Sequence, residues 1–137
     1  LMIIKDGEGA TKILEVDVKN ALSLSQAKKL CYAIANSNLV KTAIYGEDPN
    51  WGRIIAKIGS VENIDFDVKK VKLYLNKILV FKSGIATSDA KSSKLKKSMK
   101  RRNIIISLSL GAGEKGSSII TADLTKKYVD INSAYTS

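Results

Sequence analysis

Two segments of the chain gather residues able to grip a small charged molecule. In Asp6-Gly7-Glu8-Gly9-Ala10-Thr11-Lys12 two glycines flank one carboxylate. Without Cβ atoms on either side the backbone can approach a ligand closely. A carboxylate presented that way suits an ammonium, either on a ligand or on an internal Lys or Arg. An ordinary turn carrying a surface acid fits the same residues. In Gly46-Glu47-Asp48-Pro49-Asn50-Trp51-Gly52-Arg53, Asn50 suits the N-cap of a following helix and Trp51 supplies an apolar anchor. Arg53 can pair with Glu47 or Asp48, or hold a ligand carboxylate in a bidentate fork. A site-forming loop and a loop folded on its own tryptophan both satisfy this pattern. At the other end, Asn132 can donate and accept, and Ser137 adds a hydroxyl.

Other chemistries are excluded or poorly supported. The 137 residues contain no histidine, so no Ser-His-Asp or Cys-His machinery and no imidazole metal site can be built within this chain. The single cysteine, Cys31, cannot form an intrachain disulfide. It falls in an apolar helical stripe, where a thiol acts as a small hydrophobe. Gly111-Ala112-Gly113-Glu114-Lys115-Gly116 matches G-x-G-x-x-G, but the dinucleotide fingerprint must open a helix. Here Ser-Ser-Ile-Ile-Thr follows and reads as strand, so a β-hairpin turn is expected.

The elements that must position these residues follow from hydrophobic period. Ile13 to Val18 alternates apolar and charged residues, as a half-buried strand does. Ser23-Leu24-Ser25-Gln26 forms a capping-box pattern, and Ala27, Leu30, Cys31, Ile34 and Ala35 make one helical stripe. Trp51 to Ile58 reads as a short helix closed by Gly59. Val71 to Phe81 reads as a hairpin turning at Asn76-Lys77, and residues 87–100 read as helix. Ile104, Ile106, Leu108 and Leu110 predict a strand, as does the stretch from about Ser117 to Ala122. Leu124, Tyr128, Ile131 and Tyr135 predict a final helix. The sum is one α+β domain over 1–137, a mixed α/β fold of antiparallel strand pairs with packed helices.

Apolar residues are 45% and charged residues 26% of the chain, ordinary for a globular domain of this length. No apolar run approaches the roughly 20 residues needed to span a bilayer, and no signal peptide is legible at the start. The formal charge is +10, yet Lys91, Lys94, Lys96, Lys97, Lys100, Arg101 and Arg102 crowd one twelve-residue stretch, without which it is +3. That stretch holds no aromatic residue to stack on bases, so a solvated helix face is favoured over a nucleic-acid patch.

Three motifs then combine. Ile4 to Lys12 comes first, then Ala33 to Ala43 running into Gly46 to Arg53, then Asp123-Leu124-Thr125 with the tail from Tyr128 to Ser137. Together they resemble the ornithine acetyltransferase family, the bifunctional glutamate N-acetyltransferases of arginine biosynthesis. The resemblance runs end to end. It implies a precursor that cuts itself before a threonine, which then carries acetyl from N-acetylornithine to glutamate by a ping-pong route. It implies no metal or organic cofactor, with acetyl-CoA as a further donor in some members. The implied fold is the architecture shared with related self-processing aminopeptidases. It also implies a cytoplasmic αβ heterotetramer.

Residue by residue, Glu8, Asn132 and Ser137 match the family's substrate-binding positions: Glu8 for an ammonium, Asn132 and Ser137 for the amino-acid head group. Asn50, Trp51 and Arg53 match positions that support the site. The nucleophile and the oxyanion hole have no counterpart here, so the catalytic list for this chain is empty. The sequence therefore reads as the C-terminal part of the β chain, from a fragment, a split gene or a trimmed chain. The missing α chain and N-terminal β segment are its expected partners. The alternative from another class is a non-catalytic basic module that binds a polyanion through Lys91 to Arg102.

Overall fold

The computed structural model describes residues 12–122 and the backbone of Tyr128–Asp130. Among these, seven strands form one mixed sheet in the order β4-β3-β2-β5-β1-β6-β7. The strands are β1 (Ile13–Ala21), β2 (Lys72–Leu75), β3 (Ile78–Lys82), β4 (Ile85–Ala86), β5 (Asn103–Ser109), β6 (Lys115–Ala122) and β7 (Tyr128–Asp130). Four helices accompany them: α1 (Leu24–Asn36), α2 (Asn38–Tyr45), α3 (Trp51–Gly59) and α4 (Ser93–Ser98). The α+β class read from the sequence holds. Every strand pair is antiparallel except one: β1 runs parallel to β5, from Ile13 beside Asn103 to Lys19 beside Ser109.

The core follows from alternation. Leu14, Val16 and Val18 on β1 face inward with Ile104, Ile106 and Leu108 on β5, all at most 1% exposed. Helix α1 lies on β1 and β6 and presents Ala27, Leu30, Cys31, Ile34 and Ala35, the stripe expected from sequence. Each such Leu or Ile contributes about 1.5–3 kcal/mol by leaving water. The Ser23 hydroxyl accepts the Gln26 N–H at 3.0 Å, and the Gln26 side chain reaches back to the Leu22 N–H at 2.9 Å. Ser37 then ends α1 and starts α2, its hydroxyl accepting from the Val40 N–H at 3.2 Å. Between β2 and β3, Asn76 and Lys77 both adopt positive φ, as a two-residue hairpin turn requires.

Three expectations are corrected. The helix over 87–100 is broken into a 3₁₀ turn (Ser88–Lys91) and the short α4. Ser92 divides them, capping α4 through the Leu95 N–H while its hydroxyl donates to the Asp89 carbonyl; serine competes with the helical backbone in this way. The final helix is not formed at Tyr128–Asp130, which pairs antiparallel with β6 as β7. A spacing of three to four apolar residues over so short a stretch does not decide against an available strand edge. Leu124, Ile131 and Tyr135 lie outside the described residues.

The third correction concerns Gly111 to Gly116. β5 and β6 are not hairpin partners, because β1 lies between them. The connection crosses the end of β1 and is stitched to it, with the Leu110 N–H donating to the Lys19 carbonyl and those of Ala112 and Gly113 to the Asn20 carbonyl. It must bridge two strand spacings, about 10 Å, a span that no tight hairpin turn covers. Gly111 takes φ +62, and a Cβ on Gly113 would stand 2.5 Å from the Ala21 carbonyl oxygen. The glycines thus serve close backbone passage, not phosphate. Gly113→Ala is expected to destabilise the protein by about 1–3 kcal/mol, the usual range for overpacking, read as a lower urea midpoint.

Candidate functional site

The Gly46–Arg53 loop is built from the end of α2 and the start of α3. Glu47 adopts φ +60, and the Asp48 N–H donates to the Ala43 carbonyl at 2.8 Å. Asn50 caps α3, its Oδ1 accepting the Arg53 N–H at 3.2 Å, as its sequence position suggested. Trp51 lies against Phe81 on β3, with ring centroids 5.7 Å apart. Arg53 reaches neither Glu47 nor Asp48 in the pairing that its spacing allowed. Its Nη1 donates to the Leu39 carbonyl at 2.9 Å and so ties α3 to the first turn of α2. These three residues hold the loop together and tie it to α2 and β3.

Glu47 is engaged elsewhere. Its Oε2 stands 3.0 Å from Nζ of Lys12, the last residue of the Ile4–Lys12 motif. The same ammonium donates to the carbonyls of Met99 at 2.9 Å and Arg101 at 2.7 Å. Lys12 is 4% exposed. One buried charge therefore joins the first motif, the Gly46–Arg53 loop and the turn after α4. Sequence reasoning did not single out this contact, although the signal was present. Lys12 shares the period of Leu14, Val16 and Val18, so its side chain points toward the core, where an ammonium must find acceptors.

Glu8, Asn132 and Ser137 lie outside the described residues. Cys31 is fully buried, its sulfur 3.1 Å from the Ser117 carbonyl oxygen, a packed thiol as the helical stripe indicated. The seven cations from Lys91 to Arg102 are all exposed while Leu95 and Met99 point inward. Among the described residues, no group of three or more His, Cys, Asp or Glu side chains is placed to hold a metal ion. No helix among them is long and apolar enough to cross a membrane.

The sheet face opposite the Leu14 row carries a second polar group. Glu15, Asp17, Tyr74, Lys77 and Ser107 line an open cleft of about 460 Å³. Burial, reinforced by a hydrogen bond and charge repulsion from Asp17, pushes the Glu15 carboxyl up to about 7, with Lys77 opposing. An acid whose folded pKa is raised binds its proton more tightly in the folded state. Stability from this group is therefore lost as pH rises from about 4.5 to 7. Glu15→Gln should flatten that part of the profile, measured as urea midpoints at pH 4.5 and 7. An unchanged slope would remove Glu15 as its source.

Comparison with known proteins places these features. The ArgJ family model matches residues 1–137. The arginine biosynthesis bifunctional protein ArgJ of Nitrobacter winogradskyi is 45% identical over 136 residues, covering 98% of this chain and 32% of that protein. Its namesake from Bradyrhizobium diazoefficiens is 43% identical over the same length and shares. The chain thus spans about a third of the length of these relatives. The crystal structure of the arginine biosynthesis bifunctional protein ArgJ from Bacillus halodurans matches with a TM-score of 0.76 at 34% identity. That match covers 88% of this chain and 56% of the solved one. The mixed sheet and its helices are thus shared with a solved ArgJ fold, and a family match over every residue settles the membership: the chain belongs to the ArgJ family.

Proposed function

We propose that this chain is the substrate-binding C-terminal portion of the β chain of an arginine-biosynthesis N-acetyltransferase that moves acetyl from N-acetylornithine to glutamate. The observation that carries the reading is the family match over residues 1–137, which includes all three motifs. The Lys12 to Glu47 ion pair supports it further by bringing the first two motifs together.

In this reading a threonine hydroxyl from polypeptide outside the chain attacks the acetyl carbonyl of N-acetylornithine. The C–N bond breaks, ornithine leaves with a proton on its amine, and an acetyl ester remains on the threonine. The glutamate amine then attacks that ester, forming N-acetylglutamate and returning the proton to the threonine oxygen. The residues of this chain bind and orient. The Glu8 carboxylate pairs with a substrate ammonium in a charge-assisted hydrogen bond. Asn132 and Ser137 hold the amino-acid head group, fixing the acyl carbonyl near the nucleophile. No metal or resident cofactor enters, and acetyl-CoA is an additional donor to test. The working assembly is a cytoplasmic αβ heterotetramer, and the chain by itself is inactive.

The test is reconstitution with the α chain and the N-terminal β segment, followed by assay of acetyl transfer from N-acetylornithine to glutamate. Glu8→Ala should weaken substrate binding by about 1–3 kcal/mol, the cost of leaving a charged partner unmatched. A wild-type-like KM in Glu8→Ala would remove Glu8 from the site.

A further inference from the structure

We infer that the segment from Lys91 to Arg102 is a docking surface for the phosphate backbone of duplex DNA. The surface lies wholly among the described residues and does not depend on the acetyl-transfer reading. Its seven cations are all exposed. No acid lies among these twelve residues, so repulsion between neighbours is not offset locally. Like charges three or four places apart on a helix oppose each other, as Lys94 and Lys97 do in α4. A free cationic tail would relieve this by spreading into solvent. Here the backbone prevents it. Leu95 and Met99 are fully buried and Ser98 is nearly so. Ser92 caps α4 through the Leu95 N–H at 3.1 Å, and the Asn76 amide donates to the Ser98 hydroxyl at 2.9 Å. Lys12 then holds the following turn by its bonds to the Met99 and Arg101 carbonyls at 2.9 and 2.7 Å. The cations are therefore displayed on a fixed scaffold, with a self-repulsion that a polyanion removes.

The residue types select the partner. A protein interface takes most of its energy from aromatic and apolar anchors, and this surface offers none. A helix that lies on a membrane turns apolar side chains outward, whereas Leu95 and Met99 point into the core. Phosphate contacts need only positive charge and carry no sequence preference. Without an aromatic platform for unstacked bases, the surface suits a duplex and not a single strand. Shape agrees with this. At 3.6 residues per turn, Lys94, Lys96 and Lys97 fan over about 160° of α4. Leu95 and Ser98 take the opposite side. The major groove of B-DNA, about 12 Å wide, admits one helix between two phosphate-lined walls. The cations on the two flanks of α4 face those walls. Lys91, Lys100, Arg101 and Arg102 continue the charge beyond both ends of the helix.

The experiment titrates a labelled DNA duplex of about 20 base pairs with the full chain, by fluorescence anisotropy, in about 50–200 mM salt. Binding should weaken with salt, with a log–log slope no steeper than about −6, the limit for seven phosphate contacts. Two duplexes of unrelated sequence should bind within about twofold of each other. Lys94→Gln, Lys96→Gln and Lys97→Gln combined should weaken binding about tenfold or more and flatten the slope by about 3. Lys29→Gln, Lys69→Gln and Lys82→Gln combined remove the same charge from exposed positions elsewhere. That control should change affinity by less than about threefold. All six side chains are exposed, so both variants should keep the parent Tm. No binding at the lowest salt overturns the inference. Equal loss in the two triple variants does so too, by making net charge the cause. Tighter binding to the single strand, to phosphatidylserine vesicles or to polyglutamate would also overturn it. Should the first variant not fold, Lys91→Gln with Lys100→Gln decides: a slope flattened by about 2 upholds the inference, and an unchanged slope overturns it.

Discussion

An ammonium group taken out of water must be surrounded by acceptors, and that requirement organises this molecule at one point. The charge on Lys12 sits where β1 begins, and its acceptors come from the loop before α3 and the turn after α4. Two of the three are main-chain carbonyls, so side-chain variation cannot remove them. The turn at residues 99–101 lies beside β5, the parallel neighbour of β1, and the Ile13 N–H donates to the Arg102 carbonyl at 2.9 Å. The parallel pair is thus closed at one end by an ion pair and its hydrogen bonds.

The same fold separates two electrostatic settings by the pleat of a single strand. Inward residues of β1 are apolar beyond Lys12, while Glu15 and Asp17 alternate onto the other face. There the two carboxylates crowd each other and one takes up a proton near neutrality. Period-two geometry puts a satisfied cation and a frustrated acid pair within five residues of each other. A shift of one residue in the pairing would exchange their surroundings and strand both.

Much of this was legible in the residues. The α1 stripe, the Ser23 cap, the Asn76-Lys77 turn and the alternation of β1 and β5 each carry a local physical signature, and each forms as expected. What was not legible depends on long-range pairing. Nothing in Gly111 to Gly116 says that β1 lies between the strands it joins, since a hairpin and a crossing both call for glycine. Nothing local says that Tyr128–Asp130 finds the β6 edge. In the loop, the sequence offered Arg53 an acid within a few residues, but the fold gave it a helix carbonyl and gave the acid to a lysine 35 positions away. Glu8, Asn132 and Ser137 stand out only through family likeness, because glycine-flanked acids and terminal hydroxyls are individually common.

The threading of β1 has a consequence for assembly of the sheet. Its two neighbours are supplied by residues 103–109 and 115–122, with paired positions 90 to 109 residues downstream. While the polypeptide is being synthesised, this interior strand of the sheet waits unpaired until both partners have emerged. Structure dominated by such distant contacts closes large loops before it gains their reward, and folds slowly. The interval leaves an apolar strand with two open edges, a hazard for association with other unfinished chains. Charged residues alternating along β1, at Glu15, Asp17 and Lys19, are the type that discourages such mispairing during that wait.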